Sequence, residues 1–360
     1  MLTDANINLP PVIASSATSV DVKGLTREQL TEWVRQHGHK PYRAEQLFRW
    51  MHDKRVRTFD KMSNVPKNLQ SSENARMGGL SLEKVMHSRD GTRKMILRRA
   101  SGERIESVII PMGADRFTQC VSSQVGCKMA CAFCATARMP VRKNLDASEI
   151  VDQVYHARDV MEADGKSVNN LVYMGMGEPL DNFDNVVRSL NVLLDQKGAA
   201  FGSRRITVST VGLAKRIHSF GEAVPVNLAV SLNATTNEQR AKLMPVNRAF
   251  PIERLMETLR NYPLSPRRRI YVEYVMLGGV NDTDADAARL PKLLEGVRAK
   301  INLIPFNPWP GSEFKSPANE RVTYFLDKLM KAGIQTNVRQ PKGRDIEAAC
   351  GMLDGVQAPL

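Results

Sequence analysis

The sequence predicts an α/β protein, a partial (β/α)6 barrel of the TIM type preceded by a small helical accessory domain. Three observations carry this reading. Apolar runs of strand length recur through the second half of the chain, at residues 171–174, 206–209, 226–231, 270–276, 301–306 and 334–338. Helical patterns separate most of them, at 183–194, 252–259, 284–294 and 322–330. Such alternation implies right-handed crossovers and parallel strands, and six units suit a full or partial barrel better than an open sheet. Glycines, hydroxyls and amides gather directly after the strands, at the carboxyl ends where such barrels build their active sites.

The elements ahead of the barrel read differently. Residues 1–20 form a loose leader around Pro10-Pro11. Thr26 with Gln29 forms a capping box before the apolar stripe Leu30, Trp33 and Val34, which predicts a first helix. A second is expected over 42–51 and a third over 59–69. The cations here, Lys40, Arg43, Arg49, Lys54, Arg55 and Arg57, lie among aromatics and suit an RNA backbone. A solvated face on a structural bundle is the equally simple reading. Near Met77 the texture changes to β-like runs at 94–98, 106–111 and 118–124. The chain therefore divides into a leader over 1–20, a helical domain over 21–90 and the barrel with its tail over 91–353. Asp146 with Glu149 caps the helix that opens the barrel, its apolar face being Ile150, Val151, Val154, Ala157 and Met161.

Charge and cysteine usage narrow the function. With 51 Lys+Arg against 38 Asp+Glu the net charge is +13, which suits a polyanion, nucleic acid first. No run of eighteen apolar residues predicts a membrane span, and the first twenty residues lack the basic start and apolar stretch of a secretory signal. Five cysteines, three of them clustered, argue against a disulfide framework and for a reducing, cytoplasmic setting.

That cluster is Cys127-x3-Cys131-x2-Cys134. Soft thiolates so close in sequence can converge on an iron–sulfur cluster, zinc or Cu(I). Structural zinc wants four ligands, and no nearby Cys or His follows. Three ligands on a four-iron cluster leave one iron free for something other than protein. The spacing, with Phe133 before the third cysteine, resembles the radical S-adenosylmethionine (SAM) enzymes. In those enzymes the open iron holds SAM and one electron cleaves it to a 5′-deoxyadenosyl radical. A zinc-stabilised RNA-binding protein remains the competing reading.

The loops sharpen the resemblance. Gly175-Met176-Gly177-Glu178-Pro179, Ser209-Thr210-Val211-Gly212, Ser231-Leu232-Asn233 and Asn307-Pro308 each follow an expected strand. Glycines there let a ligand approach the backbone, and Glu178 is suited to accept from an ammonium group. With Cys120 to Cys127 and Ala348-Ala349-Cys350-Gly351, these runs resemble the RlmN/Cfr family of radical SAM RNA methyltransferases from about residue 25 to 353. The resemblance implies methylation of an adenine in the peptidyl-transferase centre of 23S ribosomal RNA, and of an adenine in transfer RNA, through a methyl-cysteine and a transient disulfide. It implies a [4Fe–4S] cluster on Cys127, Cys131 and Cys134, two SAM per turnover, and SAM contacts from Gly177, Glu178, Ser209, Ser231, Leu232, Asn233 and Asn307. Asn233 departs from the family, which often has His there. Cys350 is implied as methyl carrier, Cys120 as resolving thiol and Glu106 as proton acceptor. Pro179 favours the C2-methylating branch over the C8 branch. An electron donor such as flavodoxin or ferredoxin is implied too, and nothing in the chain suggests an obligate oligomer. Further RNA contacts are expected at Arg204-Arg205, Arg267-Arg268-Arg269, Arg339, Lys342 and Arg344.

Overall fold

A computed structural model describes residues 19–70 and 75–355, so the expected leader lies almost wholly outside them. Ten strands form one sheet, each beside its predecessor in the chain: Leu80–His87, Arg93–Arg99, Arg104–Pro111, Phe117–Cys120, Asn170–Tyr173, Ile206–Thr210, Asn227–Ser231, Ile270–Met276, Ala299–Pro305 and Thr336–Val338. From Phe117–Cys120 onward every pairing is parallel. The first three strands form an antiparallel meander joined to Phe117–Cys120. Leu80–His87 and Thr336–Val338 are the two ends of the sheet, which makes the barrel partial. Parallel strands with both faces covered carry near-continuous apolar runs, which is why these stood out in the sequence.

Three expectations need correction. The sheet begins ahead of residue 91, because Leu80–His87 pairs with Arg93–Arg99. Its charged side chains and a bulge between Leu82 and Lys84 suit an edge, where such features discourage pairing with other chains, and they hide the strand's alternation. The third helix is broken into a 3-10 turn, Phe59–Lys61, and a single turn, Lys67–Gln70. Pro66 lacks an N–H and cannot continue a helix from the preceding turn. Instead Gln70 Nε2 donates to Met62 O and Val65 O, both at 2.8 Å. Helices Ala214–Ala223 and Asn237–Leu243 were not anticipated. The second starts at Thr236, which accepts from Gln239 N, but it is too short for a clear apolar period.

The helical N-terminal segment docks on helix Ala147–Glu162, whose capping box forms as expected. Lys23 forms a fully buried ion pair with Asp152, and Leu80 N donates to the same carboxylate at 2.8 Å. Arg55 and Arg57 both reach Asp159, so two of the cations expected on RNA instead tie the segments together. Lys54 over Trp50 and Arg43 over Tyr42 remain on the surface as cation–aromatic pairs. His52 Nδ1 lies 2.8 Å from Tyr155 Oη, and burial pulls the imidazole down to about 3. A group depressed on folding contributes stability that is complete above its unfolded value, about 6.5, and is lost as pH falls toward the folded one. Unfolding followed in denaturant should therefore show up to about 1.4 kcal/mol lost per pH unit below about 6.5 from this residue. A His52→Gln variant should lose that part of the slope.

Candidate active site

All five cysteines line one cleft at the carboxyl ends of the parallel strands. Cys120 ends its strand, Cys127, Cys131 and Cys134 lie on the following loop, and Cys350 arrives from the C-terminal tail more than two hundred residues later.

The floor is built by stitching the loop after Asn170–Tyr173 to residues 121–124. Gly175 N donates to Val121 O (3.1 Å), Ser123 N to Met176 O (2.8 Å) and Glu178 N to Gln124 Oε1 (2.8 Å). A Cβ on Gly175 would stand 2.6 Å from Ser122 Oγ, and one on Gly177, at φ +100°, 2.6 Å from Gln124 Cβ. These glycines are thus required by loop-on-loop packing, a different reason from the ligand approach that the sequence suggested. Glu178 follows with its carboxylate buried: Oε1 accepts from Leu180 N (3.0 Å) and Oε2 from Val211 N (2.8 Å). Burial pushes it up to about 7 against those two donors.

In the cysteine loop, Gly126 turns at φ +69°, where a Cβ would meet Val141 O at 2.2 Å. Ala132 N donates to Leu243 O (2.9 Å), and Phe133 and Cys131 pack with Leu243, Met244, Leu277 and Phe306 in a small apolar cluster. Phe133 O accepts from Trp309 Nε1 at 3.2 Å. The aromatic residue before the third cysteine is thereby the plug that holds the loop to the barrel. Burial pushes Cys127 up to about 12 and Cys131 and Cys134 above their ordinary value. Such thiols give up their protons readily only to a metal centre. Among the described residues no three His, Cys, Asp or Glu side chains are gathered tightly enough for one metal ion, these three included. Three thiols on one loop are the donor set that a four-iron cluster takes, whereas structural zinc wants a fourth ligand.

The tail lies over this loop. Gly351 O accepts from Ala135 N (2.9 Å), Leu353 O from Thr136 Oγ1 (2.5 Å) and Cys350 O from Asn307 Nδ2 (3.4 Å). Its entry is pinned to the turn at Ser88–Thr92, where Asp90 accepts from Gly343 N at 2.9 Å. Residues Gly343, Glu347 and Gly351 all have positive φ, so the tail makes a series of tight reversals around Cys350.

Of the other expected contacts, Gly177, Ser209, Ser231, Asn233 and Asn307 line the cleft. Asn233 has its amide engaged internally: Oδ1 accepts from Val275 N (2.8 Å) and Nδ2 faces Met244 Sδ (3.3 Å). Its φ of +55° lies in the left-handed region that Asn tolerates. Leu232 is fully buried and does not line the cleft. Glu106 also lies away from the cleft lining. It pairs with the buried Lys94 at 3.0 Å, and its Oε2 accepts from Asp354 N (3.2 Å) and Gly355 N (3.4 Å). Arg204-Arg205 and Arg267-Arg268-Arg269 directly precede strands Ile206–Thr210 and Ile270–Met276, at the sheet end opposite the cleft. Arg344 Nε is bonded to Asn307 Oδ1 at 2.9 Å.

Arg240 and Glu273 escaped the sequence reading, and Arg339 was expected only as an RNA contact. Arg240, with no exposed surface, donates to Val211 O (2.7 Å), Leu232 O (3.0 Å), Ser231 O (3.1 Å) and Asn247 Oδ1 (3.2 Å). It ties together the loops after two neighbouring strands. Glu273 and Arg339 face each other at 3.6 Å across the cleft wall. A lone carboxylate within the apolar run Ile270–Met276 was the visible sign of Glu273. For Arg240, in a helix too short to read, no such sign existed.

Known proteins match this chain over most of its length. Residues 20–75 match the ribosomal RNA large subunit methyltransferase N-terminal domain, and residues 121–290 match the radical SAM superfamily. Dual-specificity RNA methyltransferase RlmN of Syntrophotalea carbinolica is 48% identical over 340 residues, covering 94% of this chain and 90% of that protein. The RlmN of Geobacter sulfurreducens is 46% identical, covering 94% and 93%. The crystal structure of a radical SAM methyltransferase from Sphaerobacter thermophilus superposes with a TM-score of 0.87 at 39% identity, covering 94% of this chain and all of that one.

Proposed function

The chain belongs to the RlmN family of dual-specificity RNA methyltransferases, radical SAM enzymes, and from that premise we propose that it methylates C2 of adenine in 23S ribosomal RNA and transfer RNA through two redox-active thiols. The observation that supports this most strongly is the meeting of all five cysteines at one cleft. Three suffice for a cluster, and a zinc-stabilised binding protein would leave Cys120 and Cys350 without a reason to join them.

In this reading Cys127, Cys131 and Cys134 hold a [4Fe–4S] cluster, and Glu178 accepts from the ammonium group of SAM beside it. When bound, the cluster and SAM supply a 5′-deoxyadenosyl radical. Carbon 2 of adenine is electron-poor and does not attack a methyl cation equivalent, so the methyl group must come on a carrier that can be made a radical. Cys350 is that carrier: it takes a methyl group from one SAM by polar displacement, and a second SAM is consumed in activating it. Addition to C2 joins RNA to protein, one electron would return to the cluster as the C2 proton leaves so that the adduct becomes a thioether, and Cys120 releases the RNA from it as a disulfide with Cys350. Glu106 takes the C2 proton, for which the Asp354–Gly355 turn must first lift from its carboxylate. Pro179 supports C2 over C8. The protein acts as a monomer in the cytoplasm, reduced by a flavodoxin- or ferredoxin-like donor. No helix of the described residues is long and apolar enough to cross a membrane.

The test is transfer of methyl label from SAM. Wild type should show label first on the protein and then on RNA, with 2-methyladenosine identified by mass spectrometry. Cys350→Ser should show neither. RNA methylation by that variant would remove the carrier role.

A further inference from the structure

The reading above leaves Arg339 without a task. This residue extends the last strand by one rung, its N–H donating to Leu303 O at 2.9 Å. Its side chain lines the cleft with Cys120 and Cys350. Nη1 lies 3.5 Å from Met174 Sδ and 3.6 Å from Glu273 Oε2. Glu273 is 3% exposed, and its Oε1 accepts from Asn302 Nδ2 at 2.8 Å. The guanidinium is therefore aimed from behind by a buried carboxylate that is itself held in place. About a third of the Arg339 side chain remains accessible, at 33%. Part of its five-donor fork is thus left facing the cleft. Met174 is shared ground, because its backbone N–H supports the Cys120 thiol while its sulfur carries the guanidinium.

The charges around the two thiols make the case specific. Arg339 is the cation that acts on both Cys120 and Cys350. Facing it are Glu273 and Cys134, which act on Cys350, and Cys350 in turn acts on Cys120. Burial raises Cys120 to about 12 even with Arg339 opposing it, so the resting group is a thiol and its proton must leave for the attack. A thiol, however, is a poor nucleophile until it becomes a thiolate, and a fixed neighbouring cation is the usual means.

We infer that Arg339, oriented by Glu273 and Asn302, is a positioning residue that favours the Cys120 thiolate as it forms to attack in the resolving step, and is not an RNA phosphate contact. The inference rests on the two-thiol reading. In that step the Cys120 thiolate attacks Sγ of Cys350 in the RNA-bound thioether. A sulfur–sulfur bond forms while the Cys350 S–CH2 bond breaks. The electron pair passes to the methylene carbon, delocalised into the adenine ring, and one proton completes the methyl group. The disulfide is then reopened by a dithiol reductant before the next turnover.

The experiment uses full-length holoenzyme and end-labelled substrate RNA, with denaturing gels to separate free RNA from RNA joined to protein. Cys120→Ala, Arg339→Met and Arg339→Lys are compared with wild type. Cys120→Ala should trap the adduct. Arg339→Met should accumulate it too, releasing methylated RNA about tenfold or more slowly, the effect of one pKa unit on thiolate population. Arg339→Lys keeps the charge and should lie between that variant and wild type. RNA affinity by gel shift should be unchanged in both arginine variants. A merely structural role would not give adduct, because a damaged site fails before the RNA is joined. Arg339→Met with wild-type release and no adduct would overturn the inference. So would loss of adduct and product together, or weakened RNA binding. Absence of adduct in Cys120→Ala would instead remove the two-thiol reading and the inference with it.

Discussion

Cys127→Ala is expected to give a colourless protein without iron where the wild type, purified anaerobically, is brown and carries about four irons per chain. The loop's backbone is held by contacts that do not involve the sulfur, such as Ala132 N to Leu243 O and Trp309 Nε1 to Phe133 O. The variant should therefore keep its fold, with far-ultraviolet dichroism unchanged, while losing the cluster. With only Cys131 and Cys134 left, one iron lacks a protein ligand besides the one that SAM is expected to occupy. SAM cleavage should fall to background. Since burial holds all three thiols protonated, loading the wild type with iron and sulfide should also release protons, measurable in weak buffer. A wild-type protein that is colourless with one bound zinc, or a variant that stays brown, would sink the cluster assignment.

Arg240→Met should lower unfolding stability by about 3–5 kcal/mol, the range for removing one partner from a buried charged network. The side chain has no exposed surface and satisfies three backbone carbonyls and one side-chain amide. Each buried acceptor left without a donor costs about 1–3 kcal/mol, and methionine fills the volume but offers none. Burial pulls the guanidinium down only to about 10, so it is charged throughout the neutral range and ordinary assay pH will not mask the effect. The loops released are those after Ile206–Thr210 and Asn227–Ser231, which carry Val211 and Leu232. SAM affinity measured by equilibrium dialysis should fall together with stability, since Val211 N also holds Glu178. Arg240→Lys should recover part of the stability, one ammonium being unable to span four acceptors. An Arg240→Met protein as stable as wild type in urea would refute the clamp.

How much was legible follows from how each feature is encoded. The parallel strands were readable because both faces are buried, so Ile270–Met276 is apolar but for Glu273 and the middle of Asn227–Ser231 is apolar throughout. The cysteine loop was readable because its three cysteines are close in sequence, and the helix starts at Thr26 and Asp146 because capping boxes use two residues three apart. Leu80–His87 was missed because a charged, bulged edge strand has no clean alternation. Glu178 was found as an acid after a glycine loop, yet the donors from Val211 and Leu180 that hold it lie on separate loops.

By itself, then, the sequence determined the α/β class, the order of most of its elements and the three-cysteine spacing, all of which depend on neighbours within a few residues. Only the tertiary structure decided which distant groups share the cleft. It brought Cys350 into one cleft with Cys120, turned Glu106 toward the tail amides, engaged the Asn233 amide internally and carried two arginine clusters to the opposite end of the sheet. The physical reason is that such meetings are made by the register of a parallel sheet and by the path of a tail, which bring together residues hundreds of positions apart. Local propensity carries no record of them.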